Sequence, residues 1–500
     1  MADILPGASK RQRTPLPADQ IAILLFLRFC ESASMFVIFP FLNELMASVT
    51  GGDSSRVGYY AGIMESVRQL LSLVCVMYWS RTSDRIGRKP VLLIGMFALA
   101  VSTTSFGFSK TFLALIVSRC IFTAFNSNAG VIKSVVGEIT DSTNSADAFA
   151  LLHVPWAAGS SFGALIGGTF SRPADQFPSL FHSKFWIDHP YFLPCAIMGC
   201  VALFACWLIA AFLRESVYIP RPSSTSTEDP LTTPLLPSKS TKPSLEITPP
   251  NAADAPVPFS ALIRNTKVLL PIACYVSLAA LHAASNALQP LFLAMPVAIG
   301  GLGLPPRTVG YILAAYGVTN AAVQTLLLGR AVRRVGVKRV LVCAMAAFAP
   351  VFAFAPVLNL VARACAAGGD VDMPVMFWAL LACQLGCSLV MELGYGEFFL
   401  PASSALSCLY TCSRIMLLHS GCVYIFITAG SPNKRSLGAT HGLAQTLVSI
   451  GRIAAPALAS SMLSASIQYD LLGGYAVYVL FVILAAGAVG LASYLPRRVD

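Results

Sequence analysis

The chain has 500 residues, of which 56% are hydrophobic and only 11% charged, far below the roughly 25% charge of a soluble globular domain, so it reads as a membrane protein. Its formal net charge of +11 is dispersed among the loops between apolar stretches instead of gathered on one face, which excludes a nucleic-acid footprint. The fourteen cysteines sit mainly inside apolar stretches with no C-x-x-C pair, and His182, Asp188 and His189 share one loop without zinc-ligand spacing, so no metal and no other cofactor is expected.

Residues 1–19 lack an apolar core, so no cleavable signal is expected and the first apolar stretch stays as a span. Stretches long enough to cross a hydrocarbon core, which takes about 20 residues of helix, then fall at 20–47, 57–79, 90–109, 111–137, 146–170 and 189–213. A second set follows at 268–296, 308–330, 336–360, 374–430, 438–466 and 473–495. Between the sets, "PRPSSTSTEDPLTTPLLPSKSTKPSLEITPPNAADAPVP" (220–258) is rich in Pro, Ser and Thr and has no apolar periodicity, the mark of a disordered linker. The expected organisation is an all-α membrane protein of twelve transmembrane helices in two six-helix bundles. Its parts are a tail over 1–17, a first bundle over 18–213, a linker over 214–265, a second bundle over 266–495 and a tail over 496–500.

Basic residues crowd into alternate loops: Lys10, Arg11 and Arg13; Arg81, Arg85, Arg88 and Lys89; Arg330, Arg333, Arg334, Lys338 and Arg339; Lys434 and Arg435; Arg497 and Arg498. By the positive-inside rule these loops and both termini are cytoplasmic. Each half carries a short basic turn after its second span, "SDRIGRK" in the first and "RAVRRVGVKR" in the second, a weak internal repeat of the kind two parallel halves produce.

Two six-span halves, a long cytoplasmic link and D-R-x-G-R-K between spans two and three resemble the major facilitator superfamily. "NSNAGVIKSVVGEITDSTN" (126–144), "WAAGSSFGALIGG" (156–168) and "SPNKRSLGATHGLAQTLVSIGRIAAPALASS" (431–461) are similar to fungal proton-antiporter members related to the drug-efflux and zinc-induced-facilitator-like groups. That resemblance implies the superfamily fold and a secondary transporter. It further implies that the loop after span two locks the bundles together in the outward-facing state, with Asp84 meeting a helix end from the other half and Arg85 and Arg88 as basic partners. Gly87 lets the loop reverse tightly, and Glu138, at the end of span four, is placed to partner Arg85 or Arg88. Ser80 stands where the family usually has Gly. In span five, Gly159, Gly163, Gly167 and Gly168 follow a family pattern associated with antiport. Four-residue spacing puts the first three on one face for close helix approach, but Ala164 holds the family's proline position, which predicts a straighter helix.

Ionisable residues inside the membrane cost at least about 2.5 kcal/mol each and are usually functional or paired. Arg28 and Glu31 in span one, and Glu65 and Arg68 in span two, sit at i, i+3 spacing and so share a helix face; span four adds Arg119 and Lys133. A carboxylate in a partly dry cavity loads or releases a proton as desolvation and nearby arginine compete, so Glu31 and Glu65 are the proton-coupling candidates. Arg28 and Arg68 read equally well as partners in a static network. Arg119 and Lys133 are placed either to hold an anionic substrate group or to respond to the carboxylates. The second half offers Asn286, Gln289, Asn320, Gln324, Glu392, Gln445 and Arg452 for substrate recognition, or as interhelical hydrogen bonds worth about 1 kcal/mol each.

One stretch breaks the pattern. "MELGYG" (391–396) would run almost directly into "CVYIFITAGSPNKRS" (422–436), yet "EFFLPASSALSCLYTCSRIMLLHSG" intervenes, so 397–421 reads as a translated intron or a tolerated insertion. The expected function is secondary active transport of a small organic solute (drug, organic anion or metal chelate) by alternating access, in exchange for protons. The alternatives are a proton-independent uniporter and a transport-inactive receptor on the same fold; no enzyme site is visible. The expected partners are the lipid bilayer, the solute and protons, for a monomer in a vacuolar or plasma membrane.

Overall fold

The computed structural model describes residues 16–53, 55–125, 128–140, 148, 151–216, 264–368, 375–394, 422–432 and 437–496. The linker expected over 214–265, the insertion over 397–421, Lys434 and Arg435, and the basic residues of both tails lie wholly or mostly outside them. Every regular element among the described residues is helical.

In the first half, α1 (Ala18–Phe36) ends in turns over 37–41 before α2 (Leu42–Val49). Pro40 has no N–H to donate and disfavours helix in the residue before it, so the single span expected over 20–47 is interrupted. Next, α3 (Val57–Ile86) continues seven residues beyond the expected limit and stops at Gly87, whose φ is 100°. At 1.5 Å per residue its 30 residues reach about 45 Å, more than the roughly 30 Å of hydrocarbon, so the turns bearing Arg81, Asp84 and Arg85 stand in the polar layer. The half is completed by α4 (Arg88–Phe108), α5 (Phe112–Phe125), α6 (Asn128–Ile139), α7 (His153–Phe170) and α8 (Phe192–Phe212).

The second half comprises α9 (Thr266–Ala294), α10 (Pro306–Val323), α11 (Val337–Gly368), α12 (Val375–Leu393), α13 (Cys422–Gly430), α14 (Leu437–Gln468) and α15 (Ala476–Ser493). A π-turn over Gln324–Leu328 follows α10 and leads into a helical segment, Gly329–Val335. Among the described residues nine helices are long and apolar enough to cross a membrane. The other three expected spans, α1, α7 and α10, are helical too; α1 carries Asp19, Arg28 and Glu31, α7 is rich in Gly and Ser, and α10 carries Arg307, Thr319 and Asn320. What lowers their hydropathy is the content that packs helices closely or carries charge.

Within the first half α4 lies along α8 and α1 along α7; within the second, α9 lies along α14, and α11 along α12 and α15. Two extensive pairs join the halves, α7 on α10 and α3 on α14, with a smaller contact between α2 and α9. Both close at the end of the molecule away from the Asp84 loop. There Gly168 faces Gly310 so tightly that a Cβ on either would stand under 3 Å from the other's Cα, and Gly62 lies against Ala457 and Ser460. The hydrophobic core shows the same asymmetry. One cluster runs from Val37, Phe41 and Met46 of the first half into Leu288, Phe292 and Phe348 of the second, while Leu24, Leu92, Met96, Val135 and Ile209, nearer the basic end, form a separate cluster within the first half. The halves are thus packed together at the far end.

The glycines at 159, 163 and 167 seat α7 on α1. An added Cβ would meet the backbone carbonyls of Phe29, Ala33 and Val37, one turn apart each time. Backbone cannot yield as a side chain can, and overpacking costs typically 1–3 kcal/mol, so Gly163→Val is expected to lose at least ~2 kcal/mol. A fall of several degrees in the thermal melt of the purified protein checks this, with Gly490→Ala, where a Cβ meets nothing within 4 Å, melting like the parent.

Candidate functional site

At the basic end, the loop between α3 and α4 is organised around Arg88. Its guanidinium donates to Asp84 Oδ1 at 2.6 Å, to Ser83 Oγ at 2.5 Å, and through Nη2 and Nε to Glu138 Oε1 at 2.9 and 3.1 Å. Glu138 therefore partners Arg88 and not Arg85, which is exposed and makes no ion pair among the described residues. Sequence reasoning missed Glu215. Its carboxylate accepts from the backbone N–H of Arg88 at 2.8 Å and of Lys89 at 3.0 Å, capping the first turn of α4 where the helix dipole favours an anion. Gly87 is needed both for its positive φ and because a Cβ there would lie 2.6 Å from Glu215 Oε2. The signal available was an acid directly after span six, but the partner lies more than a hundred residues away in the chain.

The first half buries two acid–arginine pairs. Arg28 Nη1 donates to Glu31 Oε2 at 3.0 Å while its guanidinium lies 4.3 Å from the centroid of the Trp156 ring, and Glu31 is only 4% exposed. Arg68 grips Glu65 in a two-point pair, Nε to Oε2 at 2.9 Å and Nη2 to Oε1, and Gln69 Nε2 adds a third bond at 3.2 Å. Arg119 lies within electrostatic reach of both Glu65 and Arg68. Its buried Nε has no hydrogen-bond partner among the described residues, and its side chain lines a small cavity with Ser34, Ser102 and Thr103. Lys133 is exposed, and 14 residues along the span from Arg119 it stands about 21 Å away, so the two do not form one site.

In the second half, three helices meet at Glu392. Its Oε1 is 2.8 Å from His282 Nε2, and Asn286 Nδ2 is 3.3 Å from His282 Nδ1. Tyr316 of α10 lies within electrostatic reach of the same carboxylate. The structure thus brings Asn286 and Glu392 together through the imidazole of His282, a residue absent from the sequence-derived candidates. Asn320 and Gln324, one and two turns beyond Tyr316, bond to each other at 3.3 Å, while Gln289 keeps a buried Nε2 without a partner among the described residues. Arg452 is half-buried on α14, and Gln445, two turns earlier on that helix, is exposed.

The sequence pattern of the Major Facilitator Superfamily matches residues 24–392, nearly three quarters of the chain. The chain belongs to the major facilitator superfamily. Similar members include the major facilitator-type transporter psiT2 of Psilocybe cyanescens, 28% identical over 95% of this chain and 89% of its own, and the efflux pump azaK of Aspergillus niger, 24% identical over 99% and 92%. A bacterial homologue of the human lysosomal transporter Spinster, solved in an inward-facing and unoccupied conformation, shares the fold with a TM-score of 0.58 at 15% identity, over 96% of this chain and 97% of that one. The protein is a multi-pass integral membrane transporter of small solutes and not an enzyme.

Within that superfamily, the resemblance implied Asp84 bound to a helix end of the opposite half. In this structure Asp84 is 60% exposed and pairs with Arg88 of its own turn. The halves meet at the far end, as described above, which leaves Asp84 to its local cation. The glycines of α7 divide between two tasks, three packing on α1 and Gly168 crossing to α10, and α7 passes through Ala164 as one helix.

Because Glu138 takes two of the Arg88 bonds and is half as exposed as Asp84, its loss is expected to matter more. Glu138→Gln is expected to cost about 1–2 kcal/mol, as for a charge-assisted hydrogen bond. Asp84→Asn is expected to stay within about 0.5 kcal/mol, as for an exposed ion pair. Paired thermal melts of the two variants check the order.

Proposed function

We propose that this transporter exchanges a small organic solute, of drug, organic-anion or metal-chelate type, for protons by alternating access, with Glu65 as the principal proton-carrying group. The supporting observation is Glu65 under two guanidinium groups on a helix that joins the halves. Arg68 is its ion-pair partner and Arg119 the second cation in reach, while the next residue, Ser66, donates through Oγ to the Ile453 carbonyl of α14 at 3.1 Å. A proton on Glu65 removes the counter-charge of a buried arginine, which biases whichever state lets water or another anion reach it. Arg119, with its unmatched Nε, is placed to respond to that change or to receive an anionic group of the solute. Glu31, held under Arg28 and Trp156 and sealed from solvent, serves as a second, slower carrier.

On this reading the basic end faces the cytoplasm with both termini, and closure at the far end makes the structure open to the inside. Asn286, Gln289, Asn320, Gln324, Glu392 and Arg452 supply the polar contacts to the solute from the second half, close to the midplane. The efflux-pump name of the Aspergillus niger relative supports export, from a monomer in the vacuolar or plasma membrane.

Uptake into proteoliposomes with an imposed pH gradient tests the reading, screened over cationic, anionic and chelate solutes. The parent is expected to accumulate at least one class about tenfold over a gradient-free control, the size a one-unit pH difference supports for one proton per solute. Glu65→Gln is expected to retain downhill flux and lose that accumulation, whereas Glu31→Gln lowers the accumulation only in part. Downhill flux in the parent that ignores the gradient and never accumulates the solute would make the protein a uniporter.

A further inference from the structure

Building on the exchange reading above, we propose that the Glu392–His282 pair is a binding site for a protonated amine, and that amine and proton displace one another there. The three acids buried in the described spans are not held alike. Glu31 and Glu65 each face an arginine, a permanent cation, whereas Glu392 faces an imidazole, which can stand either as a cation or as a neutral ring. Among the described residues of the second half the only other acid is Asp470, in the turn after α14. Among the described residues of that half, Glu392 is therefore the one carboxylate inside a helix that a cation can meet.

The geometry suits a small ligand. Glu392 and His282 are 13% and 19% exposed, open enough to be reached and closed enough that a charge there is poorly hydrated. Asn286, exposed in mid-span on the same face as His282 one turn on, offers an amide beside the imidazole. Tyr316 of α10 lies within electrostatic reach of the carboxylate. The exchange balances without any further reagent. The ligand's N–H donates to Glu392, His282 passes its proton to water and turns neutral, and the site keeps one cation against one carboxylate throughout. Other titratable groups share the neighbourhood: Tyr275 lies two turns toward the basic end of α9, and α14 brings Arg452 beside Gly451, which packs on Val276 and Ala280. Tyr478 of α15 meets Phe292 edge to face, nearer the far end.

A carbodiimide that modifies protonated carboxyl groups in apolar sites reports on Glu392 directly, read by mass spectrometry of the full-length protein in detergent. Phenethylamine, 2-phenylethanol and 3-phenylpropionate serve as probes of one shape and three charges. The amine is expected to slow modification of Glu392 by about tenfold, a step of one decade in occupancy, with the alcohol and the acid leaving it unchanged. The slowing is expected to be larger near pH 8 than near pH 6, since fewer protons then compete with the amine. His282→Gln is expected to remove that pH dependence. Asn286→Ala, which keeps both titrating groups, is expected to weaken the protection and keep its pH dependence, so the idea stays testable if the histidine variant does not fold. Equal protection by the alcohol, no protection by the amine, or protection in the parent that does not change with pH would each overturn the site. No gradient exists in detergent, so uptake that ignores pH in vesicles, with amine protection intact, removes the exchange reading and leaves the amine site standing.

Discussion

A carboxylate cannot stand alone in hydrocarbon, and much of this molecule's interior is arranged by that constraint. Each buried acid in a described span has a basic partner: Arg28 for Glu31, Arg68 for Glu65, His282 for Glu392. Because desolvation of a charge can cost more than a single contact returns, such pairs are poor devices for stability. They are better suited to being rearranged, since a change of one proton alters the balance of the whole group. In the first half the pairs lie on helices α1 and α3, the first of which packs on α7 and the second on α14, so charge and helix contact are coupled through the same elements.

Closure at one end is carried by small residues and not by charge. Gly168 against Gly310, and Gly58 and Gly62 against Ala457 and Ser460, let backbones approach until carbonyls and α-carbons touch, which in a membrane replaces the missing hydrophobic drive between helices. At the opposite end the Arg88 hub ties α3, α4, α6 and the chain after α8 into one unit through Asp84, Ser83, Glu138 and Glu215. The first half therefore has a firm grip on itself at its basic end and on its partner at the far end. This is the division of labour expected of bundles that rock as bodies.

Much of this could be read from the residues alone. Apolar length placed the spans. The i, i+3 spacing of Arg28 with Glu31 and of Glu65 with Arg68 anticipated the pairs that form, because both partners sit on one helix. What could not be read were contacts set by tertiary placement. Glu215 caps a helix 127 residues earlier in the chain, and His282 finds Glu392 across 110 residues; no local pattern encodes either. Pro40 was visible but outweighed by the apolar run around it, so the end of the first span was misread. Asp84 was assigned a partner proper to the opposite closure, since a sequence does not state which of two conformations is being described.

The π-turn after α10 has a geometric consequence. One surplus residue in the turn breaks the 3.6-residue repeat, so the face defined by Tyr316, Asn320 and Gln324 does not continue onto Arg330 and Arg334 below it. The upper helix can stay clamped to α7 while the segment beneath is set by its own surroundings, and that seam decouples the two ends of a single membrane crossing.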